Sequence, residues 1–194
     1  MATEYHSQRD EQEHILPFFG DFVGRFLDIG AADGKTMSNT YHLALKGWGG
    51  VCVEPNPFMS RGLLETYMDR DDILCICAAL HAVSGVVPFH VCNDFTSTTE
   101  AAHVERWEEI IEFKSILAGT VRVEDIPGPF DMINIDTEGT NLEMLRLMPE
   151  TWMKHVRLLC IEYDNQLEAI IPHCASVGLK EIHRTEENLI LARN

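Results

Sequence analysis

The run Phe26-Leu27-Asp28-Ile29-Gly30-Ala31-Ala32-Asp33-Gly34 passes from apolar residues into a turn of small ones, and a carboxylate, Glu54, follows twenty residues after Gly34. Small side chains at Gly30, Ala31, Ala32 and Gly34 let a strand turn sharply into a helix while a ligand approaches the backbone. Glu54 closes the apolar run from Gly50, just before Pro55. There its two acceptor oxygens suit a ribose diol at the carboxyl end of an open α/β sheet. Dinucleotide folds use G-x-G-x-x-G, whereas this turn reads D-x-G-x-A-x-G, with Asp28 before it and Asp33 inside it. Two carboxylates repel a pyrophosphate seated on a helix N-terminus. They suit a cofactor that carries an ammonium and a sulfonium, as S-adenosylmethionine does. The blander alternative is that Asp28 and Asp33 only cap or solvate the turn.

Three more carboxylates sit at the ends of apolar runs. Phe130-Asp131-Met132-Ile133-Asn134-Ile135-Asp136 ends in Asp136, Glu138 follows in the same loop, and Glu162 lies near the end of the run from Val156 to Tyr163. At the ends of neighbouring parallel strands they face one crevice, with Asp136 the first choice of general base and Glu138 the next. Their convergence either raises at least one pKa by repulsion or holds a divalent cation that activates an acceptor oxygen. Helix capping is the alternative for Glu138, and a strand-end hydrogen bond for Glu162. The hydroxyl-rich segment Asn93-Asp94-Phe95-Thr96-Ser97-Thr98-Thr99 is placed to order a polar substrate or simply to turn. His81, His90 and His103 are possible bases but more simply satisfied or surface histidines, and Trp48 and Trp107 are core or rim aromatics.

The elements that must hold these groups follow from periodicity. Ile15, Phe18, Phe19 and Phe22 give an N-terminal helix stopped by Gly20, and a strand runs from Arg25 to Ile29. Helices are expected at 35–46 and 58–68, and a continuous buried strand at 73–78. Strands at 86–91 and 120–123 flank a charged segment at 100–115, whose acidic run from Glu105 to Glu112 reads as the solvated face of an amphipathic helix. After the run ending in Asp136 come a helix around 143–148, the strand 156–163, a helix at 167–177 and two short antiparallel strands in 179–192.

The 194 residues carry a formal charge of −16 and no basic stripe, which argues against nucleic acid as partner. No apolar span or leader-like segment is evident, so a cytoplasmic protein without membrane insertion is expected. The chain reads as one domain over 1–194, with an N-terminal helix or lid at 1–22 and a substrate-side insertion at 93–118. Six cysteines lack any C-x-x-C, and those at 52, 75, 77 and 160 lie in apolar runs, which reads as reduced core thiols. Nine histidines show no zinc spacing, so no metal-ligand set is expected from them.

These motifs together resemble the FkbM-type branch of the S-adenosylmethionine-dependent methyltransferases. The segment from Gly24 to Gly34, then Ser38-Asn39-Thr40, then Gly47 to Pro57 is similar to that family's cofactor half. Asp131 to Gly139 resembles its D-x-x-K-I-D-x-E-G signature, and Leu159 to Tyr163 its fifth strand. The resemblance implies a Rossmann-like class I fold: α/β, with a mostly parallel seven-stranded sheet, an antiparallel C-terminal hairpin and helices on both faces. It also implies that Asp28, Gly30, Ala31, Ala32, Asp33, Gly34, Ser38, Asn39, Glu54, Pro55, Ala78, Ala79 and Asp136 bind the cofactor. Three departures stand out: Asp10 and Gln12 alter an N-terminal S-Q-x-G-E-D-x-x-I pattern, Asn134 replaces a usual Lys, and Ala78-Ala79-Leu80-His81 lacks an acid for the adenine amino group. The expected activity is O-methylation of a small hydroxylated acceptor, a sugar or glycan unit or a polyketide-type alcohol. A cofactor-binding module without catalysis and an NAD-dependent oxidoreductase are the alternatives.

Overall fold

A computed structural model of the chain describes residues 5–92 and 96–193. Its main sheet has seven strands. β1 (Arg25–Ile29), β2 (Gly49–Val53) and β3 (Ile73–Ile76) run parallel outward from the centre. On the other side lie β7 (Met132–Ile135) and β8 (Leu158–Glu162), also parallel, and then β10 (Asn188–Ala192) and β9 (Lys180–Arg184), which form an antiparallel hairpin. The spatial order is β3-β2-β1-β7-β8-β10-β9, so the crevice lies where the order reverses beside β1. A second sheet, β4-β6-β5, joins β4 (Ala79–His81), β5 (Gly85–Val91) and β6 (Lys114–Arg122).

Alternation along the strands explains the layers, because successive side chains face opposite sides of a sheet. Phe26, Cys52, Met132, Leu158, Cys160 and Ile190 pack beneath α1 (Glu11–Phe19), α2 (Tyr41–Leu45) and α3 (Pro57–Thr66). Leu27, Ile29, Val51, Ile133, Ile135 and Leu159 face the other way, against α5 (Asn141–Leu147), α6 (Glu150–His155) and α7 (Leu167–Ser176). Asp28 and Asn134 therefore fall on the α1–α3 side, in register with each other and with Cys160. No helix among the described residues is long and apolar enough to cross a membrane.

Several elements differ from the sequence expectation. The helix expected at 35–46 is only α2, because the Asp33 carboxylate accepts Lys35 N and Thr36 N and the Ser38 hydroxyl accepts Thr40 N and Tyr41 N. These side-chain bonds satisfy the backbone outside a helix until Tyr41. The run at 73–78 is not fully buried: β3 is an edge strand with Leu74 half exposed and Cys77 exposed, so Cys75 and Cys77 are not core thiols as Cys52 and Cys160 are. In the charged segment the helix is α4 (Ala101–Trp107), and the strand expected at 120–123 begins at Lys114 and pairs along the whole of β5. Of the loop at 93–99, Asn93, Asp94 and Phe95 lie outside the described residues. Helix α6 has no counterpart in the sequence reading, since its apolar Trp152 and Met153 are too few to show a period.

Gly30 controls the turn after β1. Its φ is +80°, and a Cβ there would collide with the carbonyl oxygen of Asp136. Gly30→Ala is expected to cost roughly 3 kcal/mol or more through combined strain and clash. Urea unfolding checks this, and an unchanged midpoint would show that the turn is held less tightly.

Candidate active site

A cavity of about 360 Å³ opens at the carboxyl ends of β1, β2 and β7, within the range of small-molecule sites. Its floor is the turn Gly30-Ala31-Ala32, where the amides of Gly30 and Ala31 bond to the Val53 carbonyl. One wall carries Glu54, Pro55 and Asn56, and another Asp136, Thr137 and Glu138. The second sheet forms the roof through Ala79, Leu80, His81, Val87 and Phe89, and Gln8 reaches in from the N-terminal segment.

Glu54 is buried and oriented by backbone. Its Oε2 accepts Ala32 N at 2.9 Å and its Oε1 accepts Asn56 N at 2.6 Å. Burial raises its pKa to about 7, opposed by these two bonds. Each oxygen retains a lone pair for a further donor. Asn56 also caps α3 at Phe58 N and donates to Cys92 O and Ser97 Oγ, which ties β2 to the roof.

Beneath the floor, Thr40 Oγ1 donates to Asp28 Oδ2 at 2.5 Å and Asn134 Nδ2 donates to Asp28 Oδ1 at 2.8 Å. Burial pushes the Asp28 carboxyl up while both bonds pull it down. Asn39 Nδ2 donates to Asn134 Oδ1 at 3.1 Å, with Cys160 Sγ 3.5 Å away. Asn39 Oδ1 is buried at the cavity wall with no hydrogen-bond partner. That acceptor awaits a donor from a ligand, since an orphaned buried acceptor is costly.

The acidic wall is organised from behind. Asp136 hydrogen-bonds Glu162, and both carboxyls lie above the usual carboxylate range, first through burial and then through neighbouring carboxylates. Two carboxyls in hydrogen-bond contact cannot both ionise cheaply, which favours a shared proton over two charges. Asn141, fully buried, donates to Glu162 Oε2 and Asp164 Oδ2 at 2.7 Å each and accepts Thr137 N. Glu138 adopts φ +52°; its carbonyl accepts Thr98 Oγ1, and its Oε2 lies 3.3 Å from His103 Nε2. Burial holds buried His103 below its ordinary range.

The structure thus brings Asp28, Gly30, Ala31, Ala32, Ser38, Asn39, Glu54, Pro55, Ala79, Asp136 and Glu138 to one cavity. It does not bring Asp33, Gly34, Ala78 or Glu162 to the cavity wall. Asp33 caps its own turn, Gly34 packs under Leu63 and Tyr67, Ala78 precedes the roof strand, and Glu162 stands behind Asp136. Asp136, Glu138 and Glu162 do not form a joint coordination set either. Among the described residues the one group with three ligand atoms mutually within 4.8 Å lies elsewhere. His81 lines the roof, His90 bonds Ser115 outside the cavity, and Trp48 is a core residue bonded to Phe22 O. Asn141, Gln8, Glu143 and the roof residue Phe89 escaped the sequence reading. A lone Asn at a helix start or an alternating strand carries no signal of a distant cavity.

Cavity and donor set fit the cofactor expected from the sequence. Glu54 offers acceptors for a diol, Asn39 Oδ1 and the acidic wall offer acceptors for an ammonium, and Val53, Met59 and Leu80 offer an apolar slot for a base.

A family model described as the methyltransferase FkbM domain matches residues 28–173. Among solved structures, the methyltransferase FkbM of Methylobacillus flagellatus KT superposes with a TM-score of 0.57 at 15% identity, covering 88% of this chain and 43% of that one. A ribosomal protein methylase from Lactobacillus delbrueckii subsp. bulgaricus gives 0.52 at 13%, covering 95% and 77%. A 16S rRNA methyltransferase of T. thermophilus, in complex with AdoMet and guanosine, gives 0.52 at 13%, covering 100% and 45%. At these identities the likeness is one of fold, and this chain spans less than half the length of the first and third. No curated protein matches the chain.

Asn134→Leu removes one of the two bonds to Asp28 and the amide acceptor of Asn39. Each buried polar group left unpaired costs about 1–3 kcal/mol. A loss of stability in that range or above it is expected in denaturant unfolding, and a neutral result would show that the Asp28 network is not required for the fold.

Proposed function

Because the chain belongs to the FkbM methyltransferase family, we propose that it transfers the methyl group of S-adenosylmethionine to a hydroxyl of a small polar acceptor, a sugar or glycan unit or a polyketide-type alcohol. The observation that carries this reading is the position of Asp136. It ends a central strand, faces the cavity beside the Gly30 turn and is hydrogen-bonded from behind by Glu162, whose carboxyl is held above the usual range by burial.

S-adenosylmethionine supplies an electrophilic methyl group on a sulfonium. The chain's residues do the rest. Glu54 accepts the ribose hydroxyls, Asn39 Oδ1 accepts from the ammonium, and the turn amides and alanines let the ligand lie against backbone. Leu80, Phe89 and Met59 exclude water from the slot, which strengthens each polar contact. Alignment of acceptor, methyl and sulfur supplies most of the acceleration, with effective molarities of roughly 10⁵–10⁸ M for well-placed groups. Asp136 takes the proton that the acceptor hydroxyl loses. A carboxylate with a raised pKa is a stronger base than an ordinary one, and a positioned base adds about 10²–10⁴ in rate.

Glu138 is the next polar group on the same wall, its carbonyl held by Thr98, and it orients the acceptor. Ser97, Thr99 and Glu100 line the outer part of the cavity and offer hydroxyl and carboxylate partners to a polyhydroxylated molecule. An acceptor without phosphate or carboxylate groups fits this wall best, given the charge of −16.

Asp136→Asn is expected to retain S-adenosylmethionine binding in calorimetry, weakened by the loss of one charge from the acidic wall, and to lose about 10²–10⁴ in turnover at saturating cofactor; unchanged turnover would remove Asp136 as the base. The pH profile supplies the sign. The base acts ionised, so kcat/KM rises with pH through the raised pKa of Asp136. The Glu138 charge is the largest electrostatic contribution to that rise after burial, so Glu138→Gln moves the acid limb to lower pH. Abolished turnover in that variant, with no shifted limb, would make Glu138 the base.

A further inference from the structure

Away from the cavity, Asp10, His14 and His183 bring one ligand atom each within 4.8 Å of one another. Asp10 and His14 share one face across the first turn of α1, four residues apart, and His183 lies on the edge strand β9. His183 Nε2 is 3.0 Å from Asp10 Oδ1, and His14 Nε2 is 3.8 Å from Asp10 Oδ2. The two imidazoles stack with centroids 3.5 Å apart and planes 14° from parallel, and each Nε2 approaches a different oxygen of the same carboxylate. We propose that Asp10, His14 and His183 form a binding site for a divalent transition-metal ion such as Zn²⁺, joining the N-terminal helix to the C-terminal hairpin.

Ligand chemistry and spacing both support this. Two imidazole nitrogens and a carboxylate are a borderline-soft N₂O set, suited to Zn²⁺ and its neighbours and not to Ca²⁺ or Mg²⁺. Ligands about 2.0–2.1 Å from a tetrahedral ion stand roughly 3.3 Å apart. The three ligand atoms lie within 4.8 Å of one another, and ligation closes that set by swinging the two stacked rings apart until both Nε2 lone pairs point at one ion. Water completes the fourth position, since all three residues are partly exposed.

The frame around the site is held by the chain's own contacts. Arg9 pairs with Glu186 at 3.0 Å. Glu11 is fully buried, and its Oε1 accepts Thr185 Oγ1 and Asn188 Nδ2. These contacts hold α1 against the hairpin on both sides of the three ligands, so binding orders little new chain and wastes little affinity on it. Gln8, two residues before Asp10, lines the cavity, and Ser7 bridges to Met37. An ion at Asp10 therefore fastens the segment that covers one side of the cavity.

The test uses chelator-treated full-length chain titrated with Zn²⁺ by calorimetry, alongside His183→Ala and the double variant His14→Ala/His183→Ala. One ion per chain is expected, with affinity falling at least tenfold in the single variant and stoichiometric binding absent from the double. Zn²⁺ at a hundredfold excess over Kd is expected to raise the wild-type unfolding midpoint by roughly 5–10 °C and to leave the double variant's unchanged. Circular dichroism establishes that both variants are folded. Substitution with Co²⁺ reads the geometry directly, through the intense visible absorption of a four-coordinate site. Absence of stoichiometric binding to the wild type overturns the proposal, as does equal binding by the folded double variant, which would assign the ion to other histidines. None of these readouts depends on methyl transfer.

Discussion

The carboxylate of Asp28 is the constraint on which the rest of the site depends. It is buried at the carboxyl end of the central strand, where an ion without partners is prohibitively expensive. Its two bonds, from Thr40 and Asn134, come from the segment before α2 and from the neighbouring strand β7. Satisfying Asp28 thus draws the 38–40 segment down across the sheet, and Asn39 comes with it. Asn39 in turn bonds Asn134, leaving its own carbonyl oxygen turned to the cavity. A single buried carboxyl therefore sets the path of the chain after the Gly30 turn and the polarity of the cavity floor.

The acidic wall obeys the same logic one strand further on. Asp136 and Glu162 are both pushed above the usual carboxylate range, which favours a shared proton over two charges, and Asn141 donates to one oxygen each of Glu162 and Asp164. The loop between them is strained at Glu138, whose positive φ is unusual for a residue with a side chain. Thr98, from the loop after β5, holds its carbonyl there, and His103 of α4 packs 3.3 Å from its carboxylate. The small sheet is consequently more than a roof, because the segment leaving it fixes a carboxylate that belongs to the main sheet.

The legible part of the fold was local. Strand, turn, helix, strand and acid occur in a row from Phe26 to Glu54, so the glycine turn and Glu54 could be placed together from sequence spacing. Asp136 was legible because a strand that ends in a carboxylate has one place to put it. Glu162 was not, since strand-end position fixes depth but not whether the group reaches the cavity or stands behind another. Asp33 misled for a related reason: a turn carboxylate can face a ligand or its own backbone, and here Lys35 N and Thr36 N win. The same competition shortened the helix expected from Lys35. Asp10 and His183 are 173 residues apart, and only the closing of the sheet by the C-terminal hairpin brings them together, so histidine spacing in the sequence was silent.

Charge also explains why this cavity should prefer a cationic ligand. Asp28, Glu54, Asp136 and Glu162 are all pushed above their usual range, and burial is the largest cause for each. Take Glu54, whose pKa rises from 4.5 to about 7. Between those values the folded chain holds a proton that the unfolded chain has released, so folding stability from this group is present at low pH and declines as pH rises through the window. A ligand with positive charge acts in the opposite sense. It favours the ionised carboxyls, pulls their pKa values back down and binds more tightly as pH rises over the same interval. A neutral or anionic ligand of similar size has no such pH dependence in its favour. Calorimetric titration of S-adenosylmethionine from pH 5.5 to 7.5 tests this through proton release on binding, and proton uptake would reverse the argument.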